Sequence, residues 1–124
     1  MDAFALRPLV VVFDDDPAVR GSLTFSLELD GFDVEAFESG EALLLRQLPL
    51  RPTCIVLDQK LPGITGLEAL RQLRARHVAS PAILITSHPH RNVIEAAAEA
   101  GVPIVEKPLL GDALLRDIHR ALDS

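Results

Sequence analysis

"CIVLDQKLPG", residues 54–63, runs four apolar residues into a single aspartate and then into Gln59, Lys60 and a proline-containing turn. Cys54, Ile55, Val56 and Leu57 leave no polar position in the run. That is the pattern of a strand covered on both faces, as in a parallel sheet packed between helices. Asp58 either caps this strand or is a carboxylate presented on the rim of a sheet. The rest of the chain decides between the two.

Leu9–Phe13 (LVVVF) and Ala82–Ile85 share the continuous apolar pattern. Phe32–Phe37 (FDVEAF) alternates instead, with Asp33 and Glu35 on one face, and reads as an edge strand. Val102–Val105 is short and carries Pro103, which an edge strand tolerates and a central one does not. Five helices fall between and after these strands. One over 17–30 opens on Pro17 and ends before Gly31, and one over 40–48 has Ser39 as its cap and stops before Pro49 and Pro52. Leu67, Leu70 and Leu73 stripe a helix over 66–77, and an alanine-rich helix over 91–100 ends at Gly101. Asp112 is placed to cap the last helix, along which Leu114, Ile118, Ala121 and Leu122 recur at helical spacing.

Strand and helix thus alternate five times. This predicts an α/β domain, a five-stranded parallel sheet doubly wound by helices, with right-handed crossovers. The two edge assignments favour strand order 2-1-3-4-5, in which the winding reverses between strands one and three. Ligands bind at the carboxyl ends of the strands beside such a reversal.

The composition fits a single domain over residues 1–124, with 48% hydrophobic residues for a core and only 4% aromatic, so the core is aliphatic. A net charge of −6 leaves no basic stripe to neutralise phosphates, which argues against direct nucleic-acid binding. One cysteine excludes an internal disulfide, no apolar run is long enough for a membrane span, and MDAFALRPL lacks a signal pattern. The expectation is a soluble, cytoplasmic protein with no membrane partner.

The polar residues that end the strands carry the chemistry. The first strand ends in Asp14-Asp15-Asp16, the third in Asp58, the fourth in Thr86-Ser87 and the fifth in Glu106-Lys107-Pro108. Each has a bland reading: a solvated helix start, a turn aspartate, a Lys-Pro turn. The predicted topology collects all of them on one rim, which the bland readings do not explain. Carboxylates packed together raise one another's pKa unless a cation shares the site. Magnesium, a hard ion that takes one or two carboxylates and bridges to phosphate oxygens, suits the set. An ionised carboxylate is itself a nucleophile that can form an acyl phosphate, and phosphoryl transfer then needs positioning and charge neutralisation. Asp58 is read as the phosphoacceptor.

FDDDPAVR (13–20), VLDQKLPGITG (56–66), ILITS (83–87) and VEKPL (105–109) together resemble the receiver domain of bacterial two-component response regulators, over essentially the whole chain. The stretch 16–44 looks most like the FixJ-type branch. The resemblance implies the flavodoxin-like receiver fold, and a phosphoacceptor switch that takes a phosphoryl group on Asp58 from a histidine of a kinase or phosphotransfer protein. It implies that Asp15 binds magnesium directly, that Asp14 acts mostly through bound water, and that the backbone carbonyl of Lys60 completes the protein ligands. Thr86 would hydrogen-bond the transferred group and Lys107 would pair with it, through a cis Lys107–Pro108 bond. Pro62, Gly63 and Gly66 match the loop that shapes the site, and Lys60 with His88 resembles the pair that tunes dephosphorylation. A downstream protein partner is implied, with a homodimer through the fourth helix, fifth strand and fifth helix as an option. Such a receiver catalyses its own phosphorylation and dephosphorylation and turns over no external substrate.

Two departures bear on output. Ile104 stands where the family has an aromatic residue, and the loop over 100–103 is about one residue shorter. With no helix-turn-helix following Ser124, the sequence as given reads as a stand-alone receiver, with a fragment of a longer regulator as the alternative. Two other classes fit the sequence less well. A magnesium-dependent phosphohydrolase would carry a second acid two residues after the nucleophile, where Lys60 stands. A flavin-binding protein would need a neutral, glycine-rich first loop in place of three aspartates. His88-Pro89-His90 lacks further ligands at zinc spacing and reads as a surface loop.

Overall fold

The structure is a computed structural model that describes residues 7–45, 47–48, 51–109 and 111–123. Residues 1–6 of the N-terminal stretch read for a signal pattern lie outside them, as do Arg46 and Pro49 at the expected end of the second helix. Five strands, β1 (Leu9–Phe13), β2 (Asp33–Phe37), β3 (Thr53–Asp58), β4 (Ala82–Thr86) and β5 (Ile104–Glu106), alternate with five helices. The helices are α1 (Pro17–Leu29), α2 (Gly40–Leu45), α3 (Gly66–Ala75), α4 (Arg91–Glu99) and α5 (Ala113–Leu122). All strand pairs are parallel, in the order β2-β1-β3-β4-β5 that the sequence predicts.

The continuous apolar runs are explained by a sheet with two covered faces. Leu9, Val11 and Phe13 of β1, with Ile55 and Leu57 of β3, join one core with Ala69, Leu70 and Leu73 of α3 and Ala97 of α4. The alternate residues Val10, Val12, Cys54 and Val56 join a second core with Leu23 and Leu27 of α1 and Leu114 and Ile118 of α5. Cys54 is a small core residue whose thiol burial pushes up to about 12.

Local signals set most boundaries. Pro17 opens α1, Gly31 follows its C-cap at φ 97°, and Ser39 Oγ accepts from Ala42 N at 3.2 Å at the start of α2. Three expectations are corrected. Helix α2 ends at Leu45, short of residue 48. Strand β5 starts at Ile104 because Pro103 has no N–H to donate; its carbonyl still accepts from Leu84 N at 2.9 Å. Asp112 makes no side-chain cap for α5; its carboxylate turns to Arg116 one helical turn on, at 2.8 Å. Among the described residues no helix is long and apolar enough to cross a membrane.

Candidate functional site

The register of the sheet assembles the rim. Phe13 pairs with Leu57, Asp58 with Ile85 and Thr86 with Glu106, so the residues just beyond these pairs share one end of the sheet. Strands β1, β3 and β5 there deliver Asp14, Asp58 and Lys107.

The acidic triplet is divided among three tasks. Asp16 is the N-cap of α1, and its Oδ1 accepts from Ala18 N at 2.9 Å. Asp14 is fully buried, with Oδ1 accepting from Asp16 N at 2.9 Å and Oδ2 from Lys107 Nζ at 2.8 Å. Asp15 is exposed, yet an oxygen of it lies with oxygens of Asp14 and Asp58 in a cluster no more than 4.8 Å across. Asp58 retains only 4% of its surface; its Oδ1 accepts from Lys60 N at 3.1 Å and its Oδ2 from Lys107 Nζ at 2.9 Å.

Three carboxylates therefore cluster beside one ammonium, which bonds two of them, Asp14 and Asp58. Burial pushes the Asp58 carboxyl above its ordinary range and the nearby Asp14 charge adds to this; the Lys107 ammonium and the Lys60 N–H offset it only in part. Burial alone would lower the Lys107 ammonium, but its hydrogen bonds to both carboxylates outweigh that and hold it above the usual lysine value. The donor set, all hard oxygens with excess negative charge, fits a divalent cation such as magnesium.

The supporting residues are packed tightly. A Cβ on Gly66 would lie 2.5 Å from the Asp58 carbonyl oxygen, so only glycine lets the first turn of α3 sit directly against the end of β3. Gly63 has φ 82°, and a Cβ there would come 2.6 Å from Glu41 Oε1. Thr86 is buried, and its hydroxyl donates to the Ser87 carbonyl at 3.3 Å while its own carbonyl accepts from Lys107 N at 2.9 Å. These two hydrogen bonds stay with the residues just beyond β4 and β5 and do not reach the carboxylates. The Lys107–Pro108 bond is cis, as the sequence reading expects. Lys60 and His88 are exposed on their loops, His88 with φ 48°.

Three supporting residues escape the sequence reading. Arg20 donates to the Asp14 carbonyl at 2.7 Å and ties α1 to the acidic loop. Glu41 reaches from α2 to accept from Ile64 N at 3.3 Å. Gln59 accepts from Leu67 N at 3.0 Å. Only the placing of Gln59 directly after Asp58 could have flagged any of them in advance.

Residues 10–119 match the family model of the response regulator receiver domain. The C4-dicarboxylate transport transcriptional regulatory protein DctD of Pseudomonas aeruginosa is 36% identical over 121 residues, 97% of this chain and 26% of that protein. The transcriptional regulatory protein FixJ of Azorhizobium caulinodans is 39% identical over 114 residues, 91% of this chain and 54% of that protein. The crystal structure of FixJ-N superposes with a TM-score of 0.85 at 33% identity, covering 95% of each chain. The chain thus spans about half the length of this FixJ and about a quarter of DctD. Receiver domains of response regulators act as phosphoacceptor switches in two-component systems and generally bind magnesium at an acidic pocket, and this chain, with its sheet order and its cluster of aspartates, belongs to their family.

Proposed function

We propose that Asp58 is the phosphoacceptor of this receiver, that Asp14, Asp15 and the Lys60 carbonyl hold magnesium with it, and that Thr86 and Lys107 receive the transferred group. The observation that carries the reading is the set of three carboxylates with oxygens within 4.8 Å of one another, two of them, Asp14 and Asp58, bonded to one ammonium. Magnesium, when bound, supplies positive charge against the phosphoryl oxygens.

The side chains divide the remaining work. Asp58 is fixed by Lys60 N and Lys107, so one carboxylate is aimed out of the end of β3 without a general base. The new O–P bond forms as the P–N bond of a phosphohistidine donor breaks, and the imidazole leaves with the electron pair. Asp14 already has a partner on each oxygen, which suits an indirect role through water; exposed Asp15 suits direct coordination. Lys107 bridges Asp14 and Asp58 and can turn to the phosphoryl oxygens once Asp58 carries them. The Thr86 hydroxyl, held by a 3.3 Å bond to Ser87, is available to the same group.

The donor is read as a histidine kinase or histidine phosphotransfer protein, and the recipient of the signal as a downstream protein partner. A groove of about 740 Å³ between α1 and α5, lined by Leu23, Leu27, Leu109 and Leu114, opens beside Lys107. Helix α1 also leaves Phe25 and Leu29 exposed by 68% and 74%. Both features support a protein as donor. The protein is read as one domain over 1–124 that acts in the cytoplasm and turns over no external substrate.

The test is direct labelling. Incubation with magnesium and a small phosphodonor gives an acid-stable, base-labile acyl phosphate on the wild type and none on Asp58→Asn. Equal labelling of the two proteins overturns the assignment.

A further inference from the structure

We infer that Gln59 is a positioning residue for the acidic site, acting through the loop between β3 and α3; the inference rests on the roles proposed for Asp58 and Lys60. Gln59 follows the acceptor directly, yet none of its hydrogen bonds points at the carboxylates. Its N–H donates to the Ile85 carbonyl at 3.0 Å, which extends the β3–β4 ladder by one residue. Its carbonyl accepts from Gly66 N at 3.1 Å, and its side-chain Oε1 accepts from Leu67 N at 3.0 Å.

Two successive N–H groups of the first turn of α3 are therefore held by one residue at the end of β3. A helix start leaves its first N–H groups without internal partners. Here Thr65, the N-cap, already takes Glu68 N at 3.1 Å, so the Gln59 side chain adds a second, independent anchor. The consequence lies in what it closes. Residues 60–65 form a loop whose two ends are both pinned at Gln59, and Lys60 is its first member. The contact of Gly66 with the Asp58 carbonyl leaves no slack in this closure. On the far side, Glu41 of α2 holds the tip of the loop at Ile64 N.

An apolar residue at 59 leaves Leu67 N without this acceptor and lets α3 and the loop drift from Asp58. The Lys60 peptide, whose N–H holds Asp58 Oδ1, then samples more orientations. Gln59 thus sets the fraction of molecules whose loop is ready for magnesium. By linkage, magnesium in turn tightens the Gln59–Leu67 bond.

Magnesium alone is the probe. The chain has no Trp or Tyr, so affinity is read by titration calorimetry. Gln59→Met, of similar length but without the acceptor, is expected to weaken magnesium binding about two- to tenfold, the scale of one hydrogen bond. Gln59→Glu keeps an oxygen for Leu67 N and is expected not to weaken it. In the wild type, exchange of the Leu67 amide is expected to slow when magnesium is added, a measurement that decides the matter if Gln59→Met fails to fold. A Gln59→Met protein with a lower Tm and wild-type magnesium affinity makes Gln59 a helix anchor only and overturns the inference, as does a wild-type Leu67 amide indifferent to magnesium. If the wild type labels on Asp58 while these measurements fail, the inference falls alone; if the wild type binds no magnesium, the proposed function falls with it.

Discussion

The ammonium of Lys107 lies 2.9 Å from Oδ2 of Asp58, a residue 49 positions away in sequence, and touches Asp14 at 2.8 Å with the same nitrogen. One cation thereby serves two buried carboxylates. Removing it with Lys107→Met leaves both without a counter-charge. The expected cost in metal-free buffer is about 1–3 kcal/mol, below the range for fully buried pairs because Lys107 keeps 18% of its side-chain exposure. Magnesium is expected to restore part of the loss. Chemical denaturation with and without magnesium checks both.

Asp58 gives the opposite sign. Its carboxyl is held above the ordinary range, first by burial and then by Asp14, so the folded state favours the neutral form more than the unfolded chain does. Any stabilisation from that protonated form is complete below the unfolded-state pKa and is lost as pH rises through the folded-state value. Asp58→Asn, neutral at every pH, is therefore expected to melt higher than the wild type at neutral pH in chelator. The difference is expected to shrink as pH falls into the carboxylate range, and also when magnesium is added. Thermal melts between acid and neutral pH read it; an Asn variant that melts lower at neutral pH contradicts the account.

Gly66 and Gly21 form a matched pair. Gly66→Ala forces a Cβ to within 2.5 Å of the Asp58 carbonyl oxygen and 3.1 Å of Leu84 Cδ1, an overpacking expected to cost about 1–3 kcal/mol and to slow phosphorylation. Gly21→Ala, inside α1 with nothing within 4 Å of the added methyl, is expected to stabilise by about 0.5–1 kcal/mol and leave phosphorylation unchanged. Denaturant titrations of the two variants separate site crowding from helix propensity.

Output is expected to run through α4. That helix buries only Ala97, and its N-cap, His90, makes no side-chain cap bond. A buried leucine or isoleucine contributes about 1.5–3 kcal/mol, and α4 has none, since Ile94 is 47% exposed. Ile104 packs against the core as a half-buried residue and offers no large ring to swing. Amide exchange in the free and phosphomimetic-bound states is expected to change most over residues 87–95. Unchanged protection there, with changes elsewhere, assigns the signal to another surface.

The strands and their order were legible in the sequence because the physics behind them is local. An uninterrupted run such as Leu9–Phe13 suits a strand covered on both faces, and Pro103 argues against a central strand there. Glycine and proline punctuation set most helix ends. At Asp112 the position of the cap was right, but an ion pair with Arg116 one turn on took the carboxylate that the cap bond would have used.

The site divides in the same way. That Asp14, Asp15, Asp58, Thr86 and Lys107 share a rim follows from strand register, which the apolar pattern already implies. Which aspartate caps α1, which is buried and which faces solvent does not follow, because three adjacent identical residues differ only in where the β1–α1 turn points them. Nor could the sequence yield the Glu41–Ile64 contact or the Gln59–Leu67 bond. These depend on distances across turns and between helices, and hydrogen bonds that decide at a few tenths of an ångström have no periodic trace in the chain. The amino-acid order determined the sheet and the inventory of charges at its end; only tertiary packing decided how one ammonium is shared between two carboxylates and what keeps the loop beside them still.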